Sequence, residues 1–319
     1  MTEVTAGIDI GGTNTKIGIV DREGNLLQHT SIETTAYEEV EDYFNDMASA
    51  VKRLKKKLPS THELIGIGVG AANGNYYTGT IERSTNLRWK GTIHLAQMFT
   101  REFDIPCLLT NDANAAALGE MVYGNAKGMR DFVVITLGTG LGSGFVCNGQ
   151  LLNGHNGVVG ELGHSTVSVN GRFCNCGKRG CLETYVSATG IRRTVYKLLA
   201  DYLEPSELRG ISFEDLNTKM ITEAALRGDV VAKQCFEYTG RILGMKLADT
   251  VVHTDPEAIF IFGGLAQAGA LIFNPTIKHM EENLMPLFRG RVKVLPSGLQ
   301  NQAAPILGAS SLIWDYLKK

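Results

Sequence analysis

Ile8-Asp9-Ile10-Gly11-Gly12-Thr13-Asn14-Thr15-Lys16-Ile17-Gly18-Ile19-Val20 is an apolar run, a tip of small polar residues and a second apolar run. The pattern returns at Ile135-Thr136-Leu137-Gly138-Thr139-Gly140-Leu141-Gly142-Ser143-Gly144-Phe145-Val146-Cys147. Each stretch reads as the start of an antiparallel hairpin. Each is followed by another turn, Asp21 to Asn25 in one case and Asn148-Gly149 in the other, and then by a Leu-Leu pair. Such a long-period repeat constrains the fold more than local propensity does.

Glycines at the tips let backbone N–H groups approach a ligand closely, and threonine hydroxyls add donors. Two facing tips could hold successive phosphates of one nucleotide. Either loop alone reads equally well as an ordinary hairpin turn. The pair together, with Asp9 and Lys16 charged inside the first, favours phosphate binding.

Helical and strand patterns alternate around the hairpins. Thr35-Ala36-Tyr37-Glu38 has the form of a capping box, and Val40, Phe44, Met47, Val51 and Leu54 follow at helical spacing as a core stripe. Strands are expected at Leu64 to Val69, Ile105 to Leu109, Ala258 to Phe262 and Arg291 to Leu295. Helices are expected at Ala113 to Met121, Ala188 to Leu203, Met220 to Arg227, Val230 to Val252 and from about Ile306 to Leu317. A strand meander with crossing helices, given twice, predicts an α/β fold of two lobes with a central cleft. The lobe boundary is placed near Asn114 to Gly119. Residues 1–115 with 306–319 form the small N-terminal lobe, with the terminal helix packed back on it, and 116–305 form the large one.

The chain has 319 residues, enough for two domains, and 44% are hydrophobic. A formal net charge of −2 argues against nucleic acid or an anionic membrane as the main partner. The basic run from Lys52 to Lys57 closes an expected helix, where cations complement the dipole. Met1 to Thr5 lacks the pattern of a secretory signal. The apolar stretch Ala258 to Phe273 is too short and too interrupted to span a bilayer. A cytoplasmic protein is expected.

In a reducing compartment, clustered cysteines read as metal ligands before disulfides. His164, Cys174, Cys176 and Cys181 form such a cluster, with Gly177 and Gly180 supplying tight turns. Four protein ligands of this kind suit Zn2+ and leave no open position for water, so the metal expected is structural. Cys107, Cys147 and Cys235 stand apart and read as packing residues.

Taken in order, Asp9 to Lys16, Asn111-Asp112, Thr136 to Gly144, Gly160-Glu161-Leu162-Gly163-His164 and Cys174 to Glu183 resemble the ROK sugar kinases and repressors. The resemblance covers nearly the whole chain, and the His and cysteine segment is its most specific part. It implies the duplicated ribonuclease-H-like fold of actin and hexokinase. It also implies ATP with Mg2+ as cofactors: Asp9, Gly11, Gly12, Thr13 and Lys16 form a first phosphate loop with Asp9 near the Mg2+, and Thr136, Gly138, Thr139 and Gly140 form a second. Gly263 and Gly264 would face the adenosine. A hexose would be bound by Asn86, Asn111, Asp112, Glu161, His164 and Glu183. Homo-oligomers, dimers or tetramers, are common in the family. Two segments depart from its pattern: Gly70 to Asn73 lacks a proline common there, and Thr85 stands where proline is frequent before Asn86.

Asp112 follows an expected strand and precedes an expected helix, so it sits where open α/β sheets place ligands. It is the candidate base for a sugar hydroxyl, although an aspartate at that point also reads as a helix N-cap. Zn2+ would act indirectly, fixing His164 and thereby Glu161 and Glu183. The expected reaction is ATP-dependent phosphorylation of the 6-hydroxyl of glucose, with N-acetylglucosamine or N-acetylmannosamine as the alternative substrate. A sugar-sensing repressor is disfavoured because the first loop strand begins near Thr5, ahead of which a DNA-reading domain has no room. An actin-like filament protein would share the fold but has no use for the cysteine cluster.

Overall fold

The computed structural model describes residues 1–83, 87–299 and 303–318. Its contacts divide the chain into two compact units. The first comprises Met1–Met129, Gly144–Gly160 and Ser297–Lys319, and the second Arg130–Ser143 and Glu161–Pro296.

The chain opens with β1 (Thr2–Ile10), β2 (Asn14–Asp21), β3 (Leu26–Glu33), α1 (Val40–Lys56) and β4 (His62–Ala71). Three short strands follow, β5 (Gly74–Asn75), β6 (Thr80–Glu82) and β7 (Thr92–Ile93), then α2 (Leu95–Phe103), β8 (Cys107–Thr110) and α3 (Asp112–Val122). The second pass is β9 (Phe132–Leu137), β10 (Leu141–Cys147), β11 (Gln150–Leu151), α4 (Ala188–Asp201), α5 (Thr218–Arg227) and α6 (Val230–Thr254). It closes with β12 (Ala258–Phe262), α7 (Ala270–Asn283), β13 (Lys293–Pro296) and α8 (Ala304–Tyr316).

The repeat seen in the sequence is a repeat of topology. One sheet has the order β3-β2-β1-β4-β8 and the other β11-β10-β9-β12-β13. In each, the first two or three strands meander and the inner strand then pairs in parallel with a later one, β1 with β4 and β9 with β12. The β10–β11 turn places Asn148 and Gly149 at φ 53° and 74°, the pair of positive angles a tight two-residue hairpin needs. In α1, Phe44, Met47, Val51 and Leu54 are buried as the spacing predicts, and Val40 is half-buried. Arg53, Lys55 and Lys56 lie in its last turn.

Helix α8 lies on the first sheet. A Cβ at Gly7 would come within 2.1 Å of the Ile306 carbonyl oxygen, and one at Gly68 within 1.8 Å of that of Ala309. Glycine on β1 and β4 is what lets the helix backbone approach so closely.

One expectation is corrected, and some elements come unannounced. The capping box does not form: Thr34–Ala36 make a 3₁₀ turn, and Glu39 precedes α1 without a side-chain cap. The Thr35 hydroxyl donates instead to Glu33 Oε1 at 2.8 Å, a competing local bond two residues back. Helix α7, unanticipated, carries Pro275 in its interior and starts from Gly269 at φ 57°. Both residues read locally as breakers. Helix α2 and the small sheet were too short to announce themselves. By contacts, 116–129, 144–160, 297–299 and 303–305 go with the first unit. Buried Glu120 on α3 accepts hydrogen bonds from the N–H groups of Asn125 (2.7 Å) and Gly298 (2.8 Å). Gly144 sits so near α3 that a Cβ would meet the Ala113 oxygen at 2.7 Å.

Candidate active site

In the first unit, the β1–β2 tip is tight and open. The Gly11 N–H donates to the Asn14 carbonyl at 3.1 Å. A Cβ on Gly11 would lie 2.8 Å from that same oxygen, so the turn requires glycine. Gly12 and Thr13 are exposed at the tip. Beneath them, buried Thr15 shares hydroxyl hydrogen bonds with Thr34 at 2.8 Å and with Tyr43. Asp9 and Lys16 stand directly opposite each other across the hairpin. Burial and the negative charge of Asp112 push the Asp9 carboxyl up to about 6, against the pull of Lys16.

Asp112 is the first residue of α3, at the end of β8. The cap of that helix is Asn111, not Asp112: the Ala113 N–H donates to Asn111 Oδ1 at 2.7 Å. The same N–H also lies 2.9 Å from Asp112 Oδ1. Asp112 is exposed as a residue, although protein atoms crowd round its carboxyl group. Crowding by protein raises its pKa, and the backbone N–H of Ala113 counteracts this. Asn86 lies outside the described residues.

The second unit holds the other loop. Gly138 and Thr139 are exposed at the β9–β10 tip, and nothing described lies within 4 Å of a Cβ built on Gly138. The Thr136 hydroxyl accepts from the Gly142 N–H at 3.2 Å, bracing the hairpin from inside. Gly263 follows β12 at φ 106°, and a Cβ there would strike the Leu137 carbonyl oxygen at 2.5 Å, whereas Gly264 is exposed. Gly263 is thus needed by the fold, and Gly264 is open to a ligand.

Glu161 and His164 flank a 3₁₀ turn at Leu162–His164, with Glu161 Oε2 3.7 Å from His164 Nε2. His164 Nδ1 faces the other way, 3.5 Å from Cys174 Sγ, and Cys176 Sγ lies 3.7 Å from Cys181 Sγ. The four ligand atoms all lie within 4.8 Å of one another. A tetrahedral Zn2+ with bonds of about 2.3 Å to sulfur and about 2.0 Å to nitrogen would set its ligands roughly 3.5–3.8 Å apart. The donor set and spacing fit that ion. The imidazole directs Nδ1 to the cysteines and keeps Nε2 for Glu161 or a ligand. Glu183 is half-buried, and its Oε2 accepts from the Leu141 N–H at 3.0 Å. Cys107 and Cys235 are buried, and Cys147 is half-buried.

The ROK family profile matches residues 5–315. The chain belongs to the ROK family. A glucokinase from Halalkalibacterium halodurans is 35% identical over 308 residues, covering 95% of this chain and 92% of its own. One from Thermotoga maritima is 33% identical over 314 residues, covering 98% and 97%. The structure of a ROK family glucokinase from Streptomyces griseus, solved with glucose and AMPPNP, is 31% identical, with a TM-score of 0.79 over 97% of this chain and 98% of that one. The fold class is the duplicated α/β arrangement of actin and hexokinase that ROK glucokinases have. No helix among the described residues is long and apolar enough to cross a membrane.

Proposed function

We propose that the chain phosphorylates the 6-hydroxyl of glucose with ATP, giving glucose 6-phosphate and ADP. The observation that carries this reading is Asp112, an exposed residue standing at a strand's end with its pKa raised. A general base with a raised pKa is suited to accept a hydroxyl proton.

Phosphoryl transfer is mostly positioning and charge stabilisation. Asp112 takes the proton from the sugar oxygen as that oxygen attacks the γ-phosphorus and the bond to ADP breaks. The open tips at Gly11 to Thr13 and Gly138 to Gly140 present N–H groups to phosphate oxygens, with Lys16 adding positive charge, and Gly264 faces the adenosine. Asp9 would hold the Mg2+ that accompanies ATP, an ion that neutralises phosphate charge when bound. Asn86, Asn111, Glu161, His164 and Glu183 bind sugar hydroxyls. His164, Cys174, Cys176 and Cys181 would hold Zn2+, which supplies rigidity. A cytoplasmic homo-oligomer, a dimer or tetramer, agrees with this reading.

The test is a panel of initial rates with ATP on hexoses and N-acetylhexosamines, with the position of phosphate identified by NMR. Glucose is expected to give the highest kcat/KM and the 6-phosphate. A preference for N-acetylglucosamine or N-acetylmannosamine would move the substrate assignment, and no phosphorylated sugar at all would overturn the reading.

A further inference from the structure

The carboxylate of Glu183 has two neighbours. Its Oε2 accepts from the Leu141 N–H at 3.0 Å, and its Oε1 lies 3.7 Å from Cys174 Sγ. Glu183 is held in a 3₁₀ turn, Leu182–Thr184, whose preceding residue is Cys181. The Cys181 carbonyl anchors that turn by accepting from the Thr184 hydroxyl at 2.7 Å. The same segment grips the glycine loop a second time: the Ala188 N–H donates to the Gly138 carbonyl at 2.9 Å. The loop's shape is complementary to this grip. A Cβ on Gly140 would lie 2.3 Å from Glu183 Oε2, and its three nearest described neighbours would all be atoms of that side chain.

We infer that Glu183 is a positioning residue for the phosphates, through which order in the cysteine knuckle sets the shape of the Gly138–Gly140 tip and hence the affinity for nucleotide. This rests on the kinase reading above and extends it. Sugar contact would occupy Glu183 without requiring it to touch the loop, whereas the geometry joins the two. A charge-assisted hydrogen bond to a backbone N–H fixes the amide's direction, and the amides of a phosphate loop act by direction. Loss of the knuckle's order therefore weakens nucleotide binding as well as sugar binding.

The experiment measures the dissociation constant of Mg2+-AMPPNP by calorimetry on the full chain, without hexose, so that sugar contacts do not enter. Glu183→Ala is expected to weaken binding roughly tenfold, as for the loss of one charge-assisted hydrogen bond. Glu183→Gln keeps a carbonyl that can accept from Leu141 and should recover most of the loss. Gly140→Ala should weaken binding by a similar factor, because its Cβ drives the carboxylate away. The double variant should bind no worse than Glu183→Ala, since the clash has gone. Removal of zinc by mild chelation, with the fold checked by circular dichroism, should weaken AMPPNP binding to a similar degree. If Glu183→Ala does not fold, Gly140→Ala carries the test. Folded Glu183→Ala or Gly140→Ala protein that binds AMPPNP within about twofold of wild type, or losses that simply add in the double variant, would overturn the inference. Wild-type protein that binds no AMPPNP would overturn the kinase reading itself, and this inference with it.

Discussion

The two sheets share a strand order and differ in almost every side chain that matters. The first carries glycines on its central strands, where α8 lies against the backbone, and charges beside its tip: Asp9, Lys16 and, at the end of β8, Asp112. The second has central strands filled by bulky residues, Phe132 and Phe260 meeting edge to face at 5.9 Å, and a tip without charge of its own. That tip is braced by a carboxylate from residue 183. One backbone plan thus carries two different sets of side chains, and under the proposed function the first unit would hold the proton acceptor and the second the cysteine cluster.

The sharpest break in this comparison is expected at Gly68. An alanine there places its Cβ 1.8 Å from the Ala309 oxygen, so α8 must shift. Gly68→Ala is expected to cost on the order of 3 kcal/mol or more in urea unfolding. A cost below about 1 kcal/mol would mean that α8 is not held as closely as described.

Asp9 gives the next effect, and it has the opposite sign. Its carboxyl is raised from 3.8 to about 6, so it favours the folded state while protonated. That contribution is complete below the unfolded value, near pH 4, and is lost as pH rises through about 6. Above pH 6 the folded chain must carry an ionised group it disfavours. Asp9→Asn is therefore expected to stabilise the nucleotide-free protein by on the order of 1–3 kcal/mol above pH 6, and to give little below pH 4. Its turnover should nevertheless collapse. A pH-independent change in stability would contradict the electrostatic account.

The smallest stability effect is expected at Gly138, where nothing described crowds a Cβ. Gly138→Ala should leave stability within about 0.5 kcal/mol while raising the KM for ATP. An unchanged KM would mean that this tip does not meet phosphate. Together, the expected outcomes at Gly68 and Gly138 would separate glycine kept for the fold from glycine kept for a ligand.

The repeat, the strands that carry it and most helices were legible because period-2 and period-3.6 patterns report burial directly. Helix α7 was not, because Pro275 and Gly269 punctuate locally what the packing of α7 sustains. The capping box at Thr35 failed for a local reason: its hydroxyl donates to Glu33 two residues back. Within the site, residue types announced chemistry better than partners. The four possible ligand atoms of the His and cysteine cluster lie within 4.8 Å of one another. The cap on α3 fell to Asn111, and the Leu141 N–H found its acceptor 42 residues away, a pairing no local window can disclose.

The proposed function is tested most directly at Asp112. Asp112→Asn keeps shape and removes the proton acceptor, so kcat with glucose and ATP is expected to fall by about 10²–10⁴-fold while glucose binding, measured by calorimetry, stays within a few-fold of wild type. Near-normal turnover with glucose still bound would contradict the account.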